Sequence, residues 1–205
     1  MNPTRRKFLA QSAAASGIVW AAPVLSTITS PAGAASLAVA IVTEGAIVMI
    51  PPPPLVPAVP PSNTVIYGWP EECLTLPTHL VVDADGRNGT HKGNSPVGLY
   101  NIPGGTFVCS YFFRFDSASG GSSTAEGTIR VPAGSLAGLA FHASTLTSTG
   151  AVLGASGTIY GTYDGFAPND QVTVTTTGGE TVIHIRMMAN AKQDDIDGIR
   201  VILSP

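Results

Sequence analysis

Residues able to do chemistry are sparse in this chain, and few stand in spacings that chemistry needs. Four histidines occur, His79, His91, His142 and His184. None stands in a His-x-His or His-x-x-x-His spacing, so no imidazole pair is preset to hold a transition metal. Serines are plentiful, but a Gly-x-Ser-x-Gly elbow is absent, and residues 154–157 lack its spacing. Gly120 to Ser123 form a turn without the Lys-Ser/Thr that a phosphate loop requires. The paired carboxylates of a glycosidase could come from distant acids, and nothing in the sequence selects the pair. A hydrolase whose site is assembled from separate loops therefore stands as a third reading, without residues to name.

Two acidic clusters could hold a hard cation. Asp83 and Asp85 lie in a Gly-rich stretch, but Arg87 stands where a third oxygen ligand should be and no Glu closes the loop. A polar turn is the plainer reading there. Asp194, Asp195 and Asp197 fit better, because three carboxylates within four residues repel one another unless a cation or an Arg compensates them. A structural Ca²⁺ is the cation they would take. A solvated acidic turn, bridged by Lys192 or Arg200, is the alternative, and no other cofactor is expected. Trp69, Tyr160, Tyr163 and Phe166 could present flat faces to pyranose rings, which makes a carbohydrate-binding module the second reading. Against it, Tyr160 could pack in the core and Phe166 could plug a loop.

The elements around these residues are short and extended. The chain has 205 residues, of which 23 are Gly and 17 Pro, too many for a helical bundle. Only 11% are charged and the net charge is −3, which excludes the basic stripe of a nucleic-acid binder. Hydrophobic residues at 44% suffice for a core.

Residues 1–34 read as an address. Arg5-Arg6-Lys7-Phe8-Leu9 has the twin-arginine export pattern, a mildly apolar stretch follows, and Ala32-Gly33-Ala34 is a small-x-small cleavage site. Pro23, Pro31 and several Ser and Thr interrupt the run that a membrane span needs. An uncleaved anchor is the alternative. Removal of the leader takes away three basic residues and no acid, so the net charge moves from −3 to −6. A periplasmic, cell-surface or extracellular location is expected, with no membrane span in the mature chain. In such a compartment Cys73 and Cys109 favour a disulfide over two buried thiols.

Residues 35–61 read as an apolar and Pro-rich arm. Two non-alternating apolar runs, 38–42 and 46–50, could pair with another subunit and drive self-association through residues 35–50. Seven prolines among residues 51–61 predict a polyproline II spacer of ~34 Å. Residues 62–205 then read as one β-domain. Strands are predicted at 64–67, 74–76, 79–82, 106–115, 128–131, 157–163, 171–175, 181–187 and 199–203, with turn signals between them. In 106–115, Tyr111, Phe113 and Phe115 share one face, and Phe112 and Arg114 the other. Ile183, Ile185 and Met187 alternate with His184 and Arg186. Residues 136–146 read as a short helix or a bent strand. The expected fold is all-β, a β-sandwich or jelly roll with few or no helices.

Ile102-Pro103-Gly104-Gly105-Thr106, then Ser110-Tyr111-Phe112-Phe113-Arg114-Phe115-Asp116, and Asp197-Gly198-Ile199-Arg200-Val201-Ile202 near the end, resemble a recurrent pattern in exported bacterial β-sandwich domains whose function is uncharacterised. The resemblance runs over most of residues 62–203. It implies an exported β-sandwich and no particular activity. Cys109 departs from it, where a polar residue is expected. The leading expectation is a non-enzymatic cell-surface or extracellular structural or interaction module, whose partner would be an extracellular glycan or protein.

Overall fold

The computed structural model describes residues 24–25, 39–118, 122–161, 165–190 and 196–205. The rest of residues 1–34, Tyr163, Asp194 and Asp195 lie outside the described residues.

The predicted sandwich is present. One sheet has six strands in the order β1-β2-β9-β12-β11-β6, and the other five in the order β10-β13-β8-β4-β3. The six-stranded sheet comprises β1 (Val24–Leu25), β2 (Val42–Gly45), β9 (Ser122–Pro132), β12 (Glu180–Asn190), β11 (Gln171–Thr177) and β6 (Gly89–Lys92). The five-stranded sheet comprises β10 (Leu136–Ala140), β13 (Asp197–Leu203), β8 (Phe107–Phe115), β4 (Ile66–Thr75) and β3 (Ile47–Met49). A separate pair joins β5 (Leu80–Val82) to β7 (Tyr100–Ile102).

The main core lies between the two sheets. Ile129, Ile183, Ile185 and Met187 from the six-stranded sheet meet Phe113, Phe115, Ile199 and Val201 from the five-stranded one. The period-2 pattern read from residues 181–187 thus sets which face is inward. The five-stranded sheet is also covered on its other face. There α1 (Ala143–Leu153), a proline-rich strap and the β5–β7 pair bury Trp69, Phe112, Val108 and Ile202. Strands β8 and β13 are therefore buried on both faces, which explains the near absence of polar residues along β8.

The arm is not separate from this body. Strand β2 pairs with β9 in one sheet, and β3 pairs in parallel with β4 in the other. Val39, Ile41 and Ile47 are buried in the main core. The chain changes sheet at Gly45, whose φ is +77° and where a Cβ would meet the Glu126 carbonyl oxygen at 2.9 Å. A boundary at Ser62 accordingly has no structural counterpart. The prolines also do not form a free spacer. Parallel neighbours need a long crossover, and residues 50–65 supply it as a strap across the five-stranded sheet. Val56 and Val59 on the strap are buried. Its backbone bonds to Ile159, from Val56 N to the Ile159 oxygen at 2.9 Å and from Ile159 N to the Pro54 oxygen at 3.0 Å.

Two sequence readings need correction. Of the segment read as a strand at 157–163, the described residues 157–161 do not form one; Ile159 makes only an isolated bridge to Leu55. Residues 136–146 split into β10 and the start of α1. Helix α1 is rich in Ser and Thr, poor helix formers, and its N-cap His142 gives no side-chain cap. A buried carboxylate from elsewhere supplies the cap instead.

Candidate functional site

Strand β4 carries Trp69 with no solvent exposure. Its ring lies 5.0 Å from that of Phe112, and its Nε1 donates to the Tyr160 hydroxyl at 3.5 Å. Tyr160 is half-buried, and its hydroxyl also accepts from Ala155 N at 2.8 Å. Phe166 is buried and stacks on Phe141 at 5.2 Å. Trp69, Tyr160 and Phe166 therefore form no open platform together, and Tyr163 lies outside the described residues. Trp69 and Tyr160 do come together, but beneath α1 and the strap, and Phe166 packs into the main core. A platform needs ring faces open to solvent, and residue type alone does not reveal which face of a doubly covered sheet a ring occupies.

The acidic candidates divide. Asp83 is buried and caps α1 from outside the helix: it accepts from Phe141 N at 2.7 Å, His142 N at 2.9 Å, Gly98 N at 2.9 Å and the Thr145 hydroxyl. Asp85 pairs instead with Arg87, Nε to Oδ2, at 2.8 Å. Asp197 opens β13 and is buried. Beside it, Asp170 accepts from Met188 N at 2.6 Å and Ala167 N at 2.7 Å. Burial pushes the Asp170 carboxyl up to about 6, against the lowering effect of those two amides and of a hydrogen bond with Asp197. Among the described residues no group of three or more His, Cys, Asp or Glu converges as a metal site.

A cluster the sequence analysis did not single out is the most developed polar arrangement in the body. On β13, Ile199 and Val201 face the sandwich core, so Arg200 points the other way, beneath α1. A register shift between Pro70 and Cys73 in β4 marks the place where Glu71 turns towards it. The pair is bidentate, Nε to Oε2 at 2.6 Å and Nη2 to Oε1 at 2.8 Å, with both side chains inaccessible to solvent. Nη1 donates to the Leu146 carbonyl at 2.8 Å and the Thr149 hydroxyl at 2.6 Å, both on α1. Ser110 Oγ donates to Glu71 Oε2 at 2.6 Å. The guanidinium carbon lies 5.2 Å from the Phe112 ring centre and 5.6 Å from that of Tyr160. Burial, with help from the Glu71 charge, raises the Tyr160 phenol above its ordinary range. Gly150 lets the helix sit this close, since a Cβ there would be 3.3 Å from Arg200 Nη2. The signal in the sequence was an Arg set inside an apolar strand. Arg114 on β8 repeats it: buried, it donates to the Val59 carbonyl at 2.8 Å and pairs with Asp116 at 2.7 Å, clamping the strap.

These groups have the types that acid–base chemistry uses; the Glu71 and Arg200 side chains are closed off by their neighbours, while Tyr160 is half-buried and Asp116 is partly exposed. Several accessible charges lie on the outer face of the six-stranded sheet. There Arg130 pairs with Glu44 at 3.1 Å and Glu180 at 3.5 Å, and Arg186 pairs with Glu126 at 3.0 Å. His184 also points outward, its Nε2 3.8 Å from Glu126. Exposed pairs of this kind contribute roughly 0–1 kcal/mol each. A cleft of about 500 Å³ opens at one end of the sandwich beside Val39, Ala40, Pro132, Ser204 and Pro205, with no titratable side chain in its walls.

The disulfide is present: Cys73 and Cys109 stand directly opposite each other on β4 and β8, with Cα atoms 4.0 Å apart. No helix among the described residues is long and apolar enough to cross a membrane. In comparisons with known proteins, no family model, no curated protein and no solved structure matches the chain.

Proposed function

We propose that the protein is an exported, non-enzymatic structural or interaction module. It would present the outer face and edges of its six-stranded sheet to partners outside the cytoplasm. One observation carries this reading: the buried charges are spent on holding the body together. Glu71 and Arg200 lock α1 to the five-stranded sheet, Arg114 locks the strap, and Asp83 caps the helix. A general acid or base must reach a substrate proton, and the Glu71 and Arg200 side chains have no surface from which to do so. The Cys73–Cys109 bond suits an oxidising compartment, and the leader motif supplies the route.

The test is turnover of chromogenic glycosides and esters by the purified chain beside its Glu71→Gln and Asp83→Asn variants. No turnover is expected from any of them. Turnover by the wild type that disappears in a variant retaining its fold would replace this reading with the hydrolase one.

A further inference from the structure

Strand β4 departs from regular pairing at one place, beside the disulfide. Pro70 stands opposite Tyr111 and Cys73 opposite Cys109, so Glu71 and Glu72 together face the single residue Ser110. This is a β-bulge, one extra residue on β4. Both bulge carboxylates reach the cover over this sheet. Glu71 binds Arg200, which in turn holds α1 through the Leu146 carbonyl and the Thr149 hydroxyl. Ser110, the neighbour of Cys109, donates to Glu71 at 2.6 Å. Glu72 accepts from Ser156 N at 3.0 Å, just past the end of α1.

The bulge and the disulfide require each other. Without the extra residue, the register set by Trp69 and Phe112 would put Cys73 opposite Val108, and Cys109 would point from the other face of the sheet. The extra residue brings the two sulfurs to one face, and their bond in turn fixes the bulge. Cys73 is exposed while Cys109 is buried, so a thiolate from outside can attack at the Cys73 sulfur. We propose that the Cys73–Cys109 bond is a redox latch: oxidised, it locks the bulge and holds α1 closed through Glu71 and Glu72; reduced, it frees the bulge and lets α1 lift from Trp69, Phe112 and Tyr160. The reductant is a dithiol. One of its thiolates attacks the Cys73 sulfur and the Cys109 thiolate leaves; its second thiolate then displaces Cys73. The dithiol ends as a disulfide, and its two electrons and two protons end on the cysteines. Helix α1 is suited to such control, since its Ser- and Thr-rich sequence is a poor helix former and its N-cap residue gives no side-chain cap.

The test reads solvent exchange by NMR in the purified chain, before and after treatment with a dithiol. The probes are the Arg200 Nε proton and the α1 amides. The controls are the Arg114 guanidinium protons and the amides of the β11–β12 hairpin in the other sheet. Global unfolding exposes all of these alike, so only a local release separates them. Reduction is expected to accelerate the probes on the order of tenfold more than the controls, and reoxidation to reverse this. Cys73→Ser with Cys109→Ser should reproduce the reduced state. Glu71→Gln should open α1 even in the oxidised chain, with little further change on reduction. Equal acceleration of probes and controls overturns the inference, because the bond then acts on overall stability alone. So does an Arg200 proton that stays protected in the double serine variant, or a bond that the dithiol leaves intact in the folded chain.

Discussion

At the scale of single residues, the buried ion pair sets the terms. Taking Glu71 and Arg200 out of water costs several kcal/mol per ion, so the pair is tolerable only because every neighbour joins in. Removing one partner leaves the other stranded: Arg200→Met or Glu71→Met should each cost about 3–5 kcal/mol in urea unfolding. The double replacement should cost less than the sum, with a coupling on the order of 1–3 kcal/mol. Additive costs would show that the pair does not act as a unit. Asp170 gives a second residue-scale expectation, with Asp197 beside it and the Arg186 charge farther off. Its folded value, about 6, lies above the 3.8 of a free carboxyl, so the folded state holds the proton more tightly. Stability from this group is full below pH ~4, falls between pH ~4 and ~6, and is flat above. Urea midpoints measured across that window should fall as pH rises, and Asp170→Asn should flatten the slope; a slope unchanged by the substitution would contradict the assignment. Little of this was legible in the sequence. Alternation in residues 181–187 placed Ile183, Ile185 and Met187 inward because one face of that strand meets water. Arg200 was opaque because β13 has no wet face, so polarity no longer reports direction, whereas alternation did set Arg114 with Phe112 on the face away from Phe113 and Phe115.

At the scale of elements, misreadings came from segments whose local chemistry is overridden by contacts far away in sequence. Prolines 51–61 look like a rod, and they become a crossover because β3 and β4 are parallel neighbours that must be joined across the sheet. Helix α1 has weak propensity and no cap of its own; Asp83, 60 residues from Ala143, and Arg200 beneath it supply what the segment lacks. The disulfide, by contrast, was readable from cysteine count and compartment, because pairing needs only two thiols and an oxidant. It closes a 36-residue separation, so in the chain-entropy picture Cys73→Ser with Cys109→Ser should lower stability by about 3–4 kcal/mol. Thermal unfolding of the oxidised protein against the double serine variant measures this. A loss well under ~1 kcal/mol would mean that the β4–β8 ladder is already held in the unfolded ensemble.

At the scale of the whole molecule, the sandwich was the most legible feature, since alternation and turn spacing are repeated many times along the chain. The extent of the body was not. Apolar runs before the prolines carry no mark that says whether they pair within the chain or with another, and β2 and β3 turn out to belong one to each sheet. Among the described residues, Glu71, Arg200, Arg114 and Asp83 are turned inward, and the outer face of the six-stranded sheet carries accessible charged pairs. On the proposed reading, such a molecule acts by being placed and presented. Intact mass and amino-terminal sequence of the protein recovered from its producing cells test that claim most directly. The account predicts a chain beginning at Ala35, found outside the cytoplasm, with Cys73 and Cys109 joined, and retained inside as the full chain when Arg5 and Arg6 are both replaced by Lys. A chain found in the cytoplasm, beginning at Met1 and carrying two free thiols, would contradict it.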